Sequence, residues 1–200
     1  MNISNVTSSD KELIEALAVL SVRASEIHAP EWLRTVEDAY ETVQEALEPA
    51  KTCRVLLDDG KPLGWVAAGP TWGRIWELHP LLIDPDHQKC GYGRLLANDI
   101  ERFAIAGGAT TMELSTSDTT GATNLSGIDL YADPLGALSR IDVVDEDVGH
   151  SYQFWLKVGY TIVGVLPDAE GPGMPSITFS KRLSLWNAPK RDSFLDASGQ

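Results

Sequence analysis

The stretch from Ile75 to Ala106 constrains this 200-residue chain more than any other part of it. A β-rich run, Ile75 to Ile83, is stopped by Asp84-Pro85. The heptapeptide Gln88-Lys89-Cys90-Gly91-Tyr92-Gly93-Arg94 follows, and then Leu96, Ile100 and Phe103 recur at helical spacing until Gly107-Gly108. The order strand, glycine-bearing turn, amphipathic helix puts the turn at a helix N-terminus. Glycine lets the backbone come close to a ligand and turn its amides toward one point. The first N–H groups of a helix lack intrahelical acceptors and carry the positive end of its dipole. The turn is therefore suited to a phosphate or pyrophosphate, with Lys89 and Arg94 able to add charge. It is not a P-loop, because no Gly-Lys-Ser/Thr triplet ends it, and two glycines without an early N-terminal strand do not make a dinucleotide fingerprint.

The flanking segments predict what surrounds that unit. A short strand at the N-terminus precedes two helices. Ser9 and Glu12 stand in capping-box relation before Leu13, Leu17 and Leu20, and Thr35 and Asp38 offer a second start before a stripe of Val36, Ala39, Tyr40, Val43, Ala46 and Leu47. Thr52–Leu57 and Pro62–Ala68 read as a hairpin around Asp58-Asp59-Gly60. After the central helix come a strand at Thr110–Leu114, a polar stretch from Ser115 to Asp147 with one short helix, a helix from about His150 to Val158, and strands at Tyr160–Leu166 and Ser176–Ser180. This succession predicts an α/β fold, a mixed sheet with helices on its faces. Residues 1–185 are expected to form one domain, and the polar, patternless residues 186–200 a loose tail.

Charge narrows the partners. Sixteen basic residues against 29 acidic ones leave a net charge of −13, which repels phosphate backbones and favours a cationic ligand. Nucleic acid is thus excluded as a partner, and no run approaches the ~18 apolar residues of a membrane span. With no signal-peptide pattern, and only Cys53 and Cys90 without zinc-type spacing, the expected compartment is the cytoplasm and no metal is expected.

Two motifs in order carry a family resemblance. Gln88-x-x-Gly91-x-Gly93 after an Asp84-Pro85 strand exit, and Phe154-Trp155-Leu156-Lys157-Val158-Gly159-Tyr160, resemble the acetyl-CoA motif and the helix-to-strand motif of the GNAT N-acetyltransferases over about residues 52–182. A narrower set resembles one branch of that family, the aminoglycoside 6′-N-acetyltransferases. It comprises Trp76-Glu77-Leu78-His79-Pro80-Leu81, then Leu125-Ser126 with Asp129-Leu130-Tyr131, then Gly159 to Pro167. The resemblance implies a mostly antiparallel central sheet, acetyl-CoA as donor, a cationic amine as acceptor, and a homodimer. It implies that Gln88, Lys89, Cys90, Gly91, Tyr92, Gly93 and Arg94 surround the pyrophosphate. The Leu81 N–H would polarise the thioester carbonyl, and Leu82 and Ile83 would bond the pantetheine amides in strand fashion.

An ammonium must lose a proton before it attacks a thioester. Strand alternation puts Glu77, His79 and Leu81 on one side, with Glu77 the first candidate base and His79 the second. Trp155 stands where the family's motif has a tyrosine, and an indole N–H is no general acid. Tyr152, one helical turn earlier, is the replacement candidate, with Trp155 left beside the cofactor. The resemblance also implies Asp118, with Glu77, as a candidate for binding the cationic sugar amines, and Trp32 in the helix–helix connection for a substrate contact. The residues leave open an acceptor of another kind, such as a polyamine, an amino sugar or a protein N-terminus, and a module that binds acetyl-CoA without catalysis.

Overall fold

In the computed structural model, which describes residues 1–26, 29–146 and 150–184, helices and strands alternate around a single seven-stranded sheet. The elements are β1 (Asn2–Asn5), α1 (Lys11–Ser25), α2 (Val36–Glu45), β2 (Thr52–Asp58), β3 (Lys61–Pro70), β4 (Ile75–Ile83), α3 (Tyr92–Ala106), β5 (Thr111–Ser117), α4 (Pro134–Leu138), α5 (Tyr152–Lys157), β6 (Thr161–Leu166) and β7 (Ser176–Arg182). The sheet order is β1-β2-β3-β4-β5-β7-β6, antiparallel throughout except for β4 with β5. The tail predicted for 186–200 lies outside the described residues. Among the described residues no helix is long and apolar enough to cross a membrane.

Local chemistry accounts for most element boundaries. Asp59 and Gly60 both take positive φ (45° and 79°), as a primed two-residue turn between β2 and β3 requires. Thr35 and Asp38 form the predicted capping box of α2. The box predicted from Ser9 and Glu12 does not form, and α1 starts later, at Lys11. The Asp10 carboxylate accepts from the Thr7 N–H (2.8 Å) and hydroxyl (2.7 Å), and the Ser9 hydroxyl pairs with that same Thr7 hydroxyl (2.7 Å), so a turn ahead of the helix occupies these groups.

Strand β3 has both faces buried. Val66 and Ala68 pack with Leu78 and with Leu96, Ala97 and Ile100 of α3, whereas Trp65 and Ala67 pack with Ile14, Leu17 and Leu20 of α1 and Val43 of α2. Helices therefore cover opposite faces, and alternation along β3 assigns each residue to one core. Two stripes are narrower than predicted. In α2, Ala39 and Val43 are buried, as is Ala46 just beyond it, while Val36 and Tyr40 stay exposed. In α3, Phe103 rolls out of the core, and the Arg54 guanidinium stacks 4.5 Å above its ring.

Arg54 also donates to Asp99 through Nε at 2.6 Å and to Asn5 through Nη1 at 2.6 Å, joining β1, β2 and α3. Both Arg54 and Asp99 have side chains only 10% exposed. Removing one partner of such a pair leaves a charge without an answer in a poorly solvated place. Asp99→Ala is therefore expected to destabilise the protein by about 3 kcal/mol, read as a lower urea midpoint at unchanged slope.

Candidate active site

The parallel pairing of β4 with β5 is short. Ile75, Trp76 and Glu77 lie opposite Thr111, Met112 and Glu113; beyond them β4 runs on from Leu78 to Ile83 and β5 from Leu114 to Ser117 without pairing to each other. Beyond Glu77 and Glu113 the two strands no longer pair, leaving a wedge between them on the side of the turn that starts α3.

The backbone on the β4 side of this wedge can be assigned. The Asp84 N–H donates to the Leu63 carbonyl at 2.9 Å, which makes Gly64–Ile83 a pair whose own groups do not bond each other. Antiparallel pairs alternate. Trp65 and Leu82 therefore exchange their bonds, and the N–H and C=O of Leu81 and Ile83 point away from β3, into the wedge. Leu81 and the Ile83 N–H can meet a strand-like ligand, the Ile83 carbonyl being taken by Gln88 Nε2. Leu82 cannot, contrary to expectation, because its main chain is bound to Trp65.

A register shift alters the side chains as well. Val66 opposes Leu81 while Ala68 opposes Leu78, so β4 carries an extra residue at a bulge covering His79 and Pro80. The predicted common face of Glu77, His79 and Leu81 is therefore broken. Leu81 joins Leu78 in the core beneath α3. Glu77 lies in register with Gly69, on the α1–α2 face, and His79 meets Trp32 there, with ring centroids 5.3 Å apart. Glu77, His79 and Trp32 are all exposed. The neighbouring protein partly desolvates His79 and holds its pKa below the usual imidazole value; the Glu77 charge pulls it back up, and Lys51 adds to the depression.

At the wide end, Gly91 is the N-cap of α3 with φ 87°, and a Cβ built there would meet nothing within 4 Å. The open space above the glycine and the unbonded first amides of a 15-residue helix are what an anion needs. Lys89 (φ 60°) and Cys90 are exposed on the rim. Two loop side chains turn inward: Gln88 Nε2 donates to the Ile83 carbonyl at 3.4 Å and Arg94 Nη2 to the Lys157 carbonyl at 3.2 Å. Tyr92 opens the helix, half-buried against the core. Behind the loop, Asp84 accepts from Arg23 of α1 at 2.5 Å, from His87 Nδ1 at 3.2 Å and from the Asp86 N–H at 3.0 Å.

Helix α5 closes the β5 side. The Thr116 and Ser151 hydroxyls lie 2.5 Å apart. The Tyr152 N–H donates to His150 Nδ1 (3.1 Å), which leaves the imidazole proton on Nε2, 3.2 Å from the Ser117 carbonyl. Tyr152 is buried, its ring 5.8 Å from that of His150. Trp155, expected beside the cofactor, is instead a core residue, 7% exposed and packed edge-on against Phe154 and Tyr160. Phe154 takes the place by the loop: a Cβ on Gly93 would lie 3.1 Å from its ring. The sequence reading missed Phe154 in this role, although its motif position beside Trp155 was a signal. Nothing local could have announced Arg23, which acts across 61 positions.

Asp118 is likewise reassigned. It is 1% exposed and accepts from the Ala122 N–H, the Thr123 N–H and hydroxyl, and the Ser126 hydroxyl, at 2.7 to 2.9 Å. Burial raises its pKa, and these hydrogen bonds outweigh burial and hold it below the usual carboxylate value. Its carboxylate organises the loop after β5 and has no room for a substrate ammonium. Among the described residues no three His, Cys, Asp or Glu side chains converge as a metal site would.

With this geometry in place, comparison with known proteins gives one consistent result. The model of the acetyltransferase (GNAT) family matches residues 20–137. The crystal structure of an aminoglycoside 6′-N-acetyltransferase complexed with coenzyme A is 31% identical, with a TM-score of 0.84 over 94% of this chain and 100% of that one. The enzyme of the same name from Enterococcus faecium is 30% identical, with a TM-score of 0.80 at the same coverage. An aminoglycoside 6′-acetyltransferase type Ii is 26% identical, with a TM-score of 0.69, again over 94% and 100%. No curated protein matches the chain.

The His79–Glu77 coupling is open to measurement. An NMR titration should place the His79 midpoint below about 6.5. Glu77→Gln should lower it further, because the charge that stabilises the imidazolium is gone; a rise would contradict the placement of Glu77.

Proposed function

The chain belongs to the acetyltransferase (GNAT) family, and from that premise we propose that it moves the acetyl group of acetyl-CoA onto the 6′-amino group of an aminoglycoside. The observation that carries this reading is the two-sided wedge. One side has outward-facing main-chain groups on Leu81 and Ile83 that end at an open, glycine-capped helix N-terminus. The α1–α2 face of the same strand has an exposed carboxylate, Glu77, near Trp32 and His79. Similarity to aminoglycoside enzymes over nearly the whole chain and a net charge of −13 support a polycationic acceptor.

The residues fit the donor. The first amides of α3, with Gly91 and Gly93, would hold the pyrophosphate, and Lys89 would add charge from the rim. The Leu81 main chain and the Ile83 N–H would bond the pantetheine arm as a neighbouring strand does. Acetyl-CoA supplies an activated thioester. The chain's own groups do the rest: the Leu81 N–H donates to the thioester carbonyl as negative charge grows on its oxygen, and Glu77 accepts the proton of the acceptor ammonium, directly or through one water. His79, kept largely neutral by its surroundings, adds no positive charge to repel that ammonium. Tyr152 is assigned to return a proton to the departing thiolate.

Glu77→Gln should lower kcat at least about tenfold with coenzyme A binding intact, and unchanged turnover would assign the base elsewhere. Gly91→Val, which puts a branched side chain in the open space and strains the positive φ, should weaken coenzyme A binding at least about tenfold by calorimetry. A thiol-release assay over a panel of amines tests the acceptor: turnover on polyamines or peptides, with none on kanamycin-type compounds, would remove the aminoglycoside reading.

A further inference from the structure

A glycine inside a strand weakens it and marks a place where something else comes close. Gly69 is buried in β3, paired with Glu77 of β4. Its backbone is ordinary strand without a positive φ, so conformational freedom does not account for the glycine. Space does. A Cβ at Gly69 would lie 2.8 Å from Lys51 Cγ, and 3.4 Å from both Lys51 Cα and the Ala50 carbonyl oxygen. Thr52 pairs with Ala68, which brings Lys51, just ahead of β2, alongside Gly69. Cys53 and Ala67 pack in the α1–α2 core, and alternation from them puts Lys51, Gly69 and Glu77 in one row on that face. With no side chain in the middle of the row, the lysine stem lies over the glycine, one strand away from Glu77.

The ammonium at the end of that stem is held off the carboxylate. Lys51 Nζ lies 3.2 Å from Glu48 Oε2, and the Lys51 N–H donates to the Glu48 carbonyl at 2.8 Å. Among the described residues Glu77 takes part in no ion pair. The lysine charge still reaches the site. It depresses the pKa of His79, whereas Glu77 and Glu45 of α2 raise it; these are the charged groups that act on the imidazole, and the Trp32 ring is its aromatic neighbour. A chain with a net charge of −13 thus keeps one of its few cations beside its candidate base.

We infer that Lys51 is a specificity-determining residue of the acceptor face. Its ammonium, carried over Gly69 and anchored by Glu48, repels the further ammoniums of an acceptor whose reacting amine lies at Glu77. The lysine thereby lowers the advantage that an acidic face gives to the most highly charged acceptors. This rests on the amine-acetyltransfer reading above.

The test compares wild type, Lys51→Met and Lys51→Arg on aminoglycosides that share the 6′-amine and carry rising numbers of other amines. In Lys51→Met, KM for the most highly charged acceptor is expected to fall about threefold or more, with kcat within about twofold. For the least charged acceptor both constants should stay within about twofold. The gain should fade at about 0.5 M salt and be absent from Lys51→Arg, which keeps the charge. Equal changes across the series, a higher KM, a gain that survives salt, or the same gain in Lys51→Arg each overturn the inference. An NMR titration of His79 needs no acceptor. Its midpoint should rise in Lys51→Met, because the charge opposing the imidazolium is gone; an unmoved or lower midpoint overturns the inference. If the wild type acetylates none of the series, the transfer reading fails by itself. Calorimetric titration of the same compounds into the coenzyme A complex then decides on Lys51: an affinity gain in Lys51→Met that grows with acceptor charge supports it, and a flat response or no binding overturns it.

Discussion

The early end of the β4–β5 pairing is the constraint on which the rest of the molecule depends. Backbone groups withdrawn from water need partners, and a strand whose ladder stops halfway exposes a row of them. Here the row is bounded on every side. Strand β3 holds one edge of β4, the Asp84 junction ends it, and α5 spans from the end of β5 to the start of α3 through Ser151, His150 and the Lys157 carbonyl. The gap is thus part of the packing and not a defect in it. A donor laid along β4, as proposed, would complete the sheet as a strand does, with its charged end at the amides of α3.

The same geometry separates donor from acceptor by sheet face. The outward main chain of Leu81 and Ile83 belongs to the wedge, and the side chains of Glu77 and His79 belong to the α1–α2 face. The bulge at His79 and Pro80 lets one strand serve both. Without the extra residue, Leu81 would have followed Glu77 to the same face and left the core beneath α3 one side chain short.

Much of this was legible from residues alone, for identifiable reasons. Element order, the Asp-Asp-Gly hairpin, the α2 capping box and the glycine turn are written in local chemistry, and local chemistry decided them. The sequence reading failed where a distant contact decided instead. Phe103 has the right spacing for the core, yet Arg54, pinned by Asp99 and Asn5, draws it to the surface side of the helix. Asp118 has the charge for a cationic ligand, but the following loop folds its donors around it. Trp155 occupies a motif position but points into the core, leaving Phe154 at the loop. Alternation placed Glu77 and Leu81 together, and Pro80, which the interior of a strand tolerates chiefly at a bulge, was the signal against it.

The tie between Arg23 and the Asp84–Asp86 corner, at 2.5 and 2.9 Å, reaches further than the stability of one loop. Arg23 lies in the last turn of α1, just ahead of the connection that presents Trp32. One guanidinium therefore ties the last turn of α1, ahead of Trp32, to the bend that precedes α3. Loss of Arg23 would loosen the approach to Trp32 and the bend before α3 together, so a substitution far from the glycine turn can still be felt there.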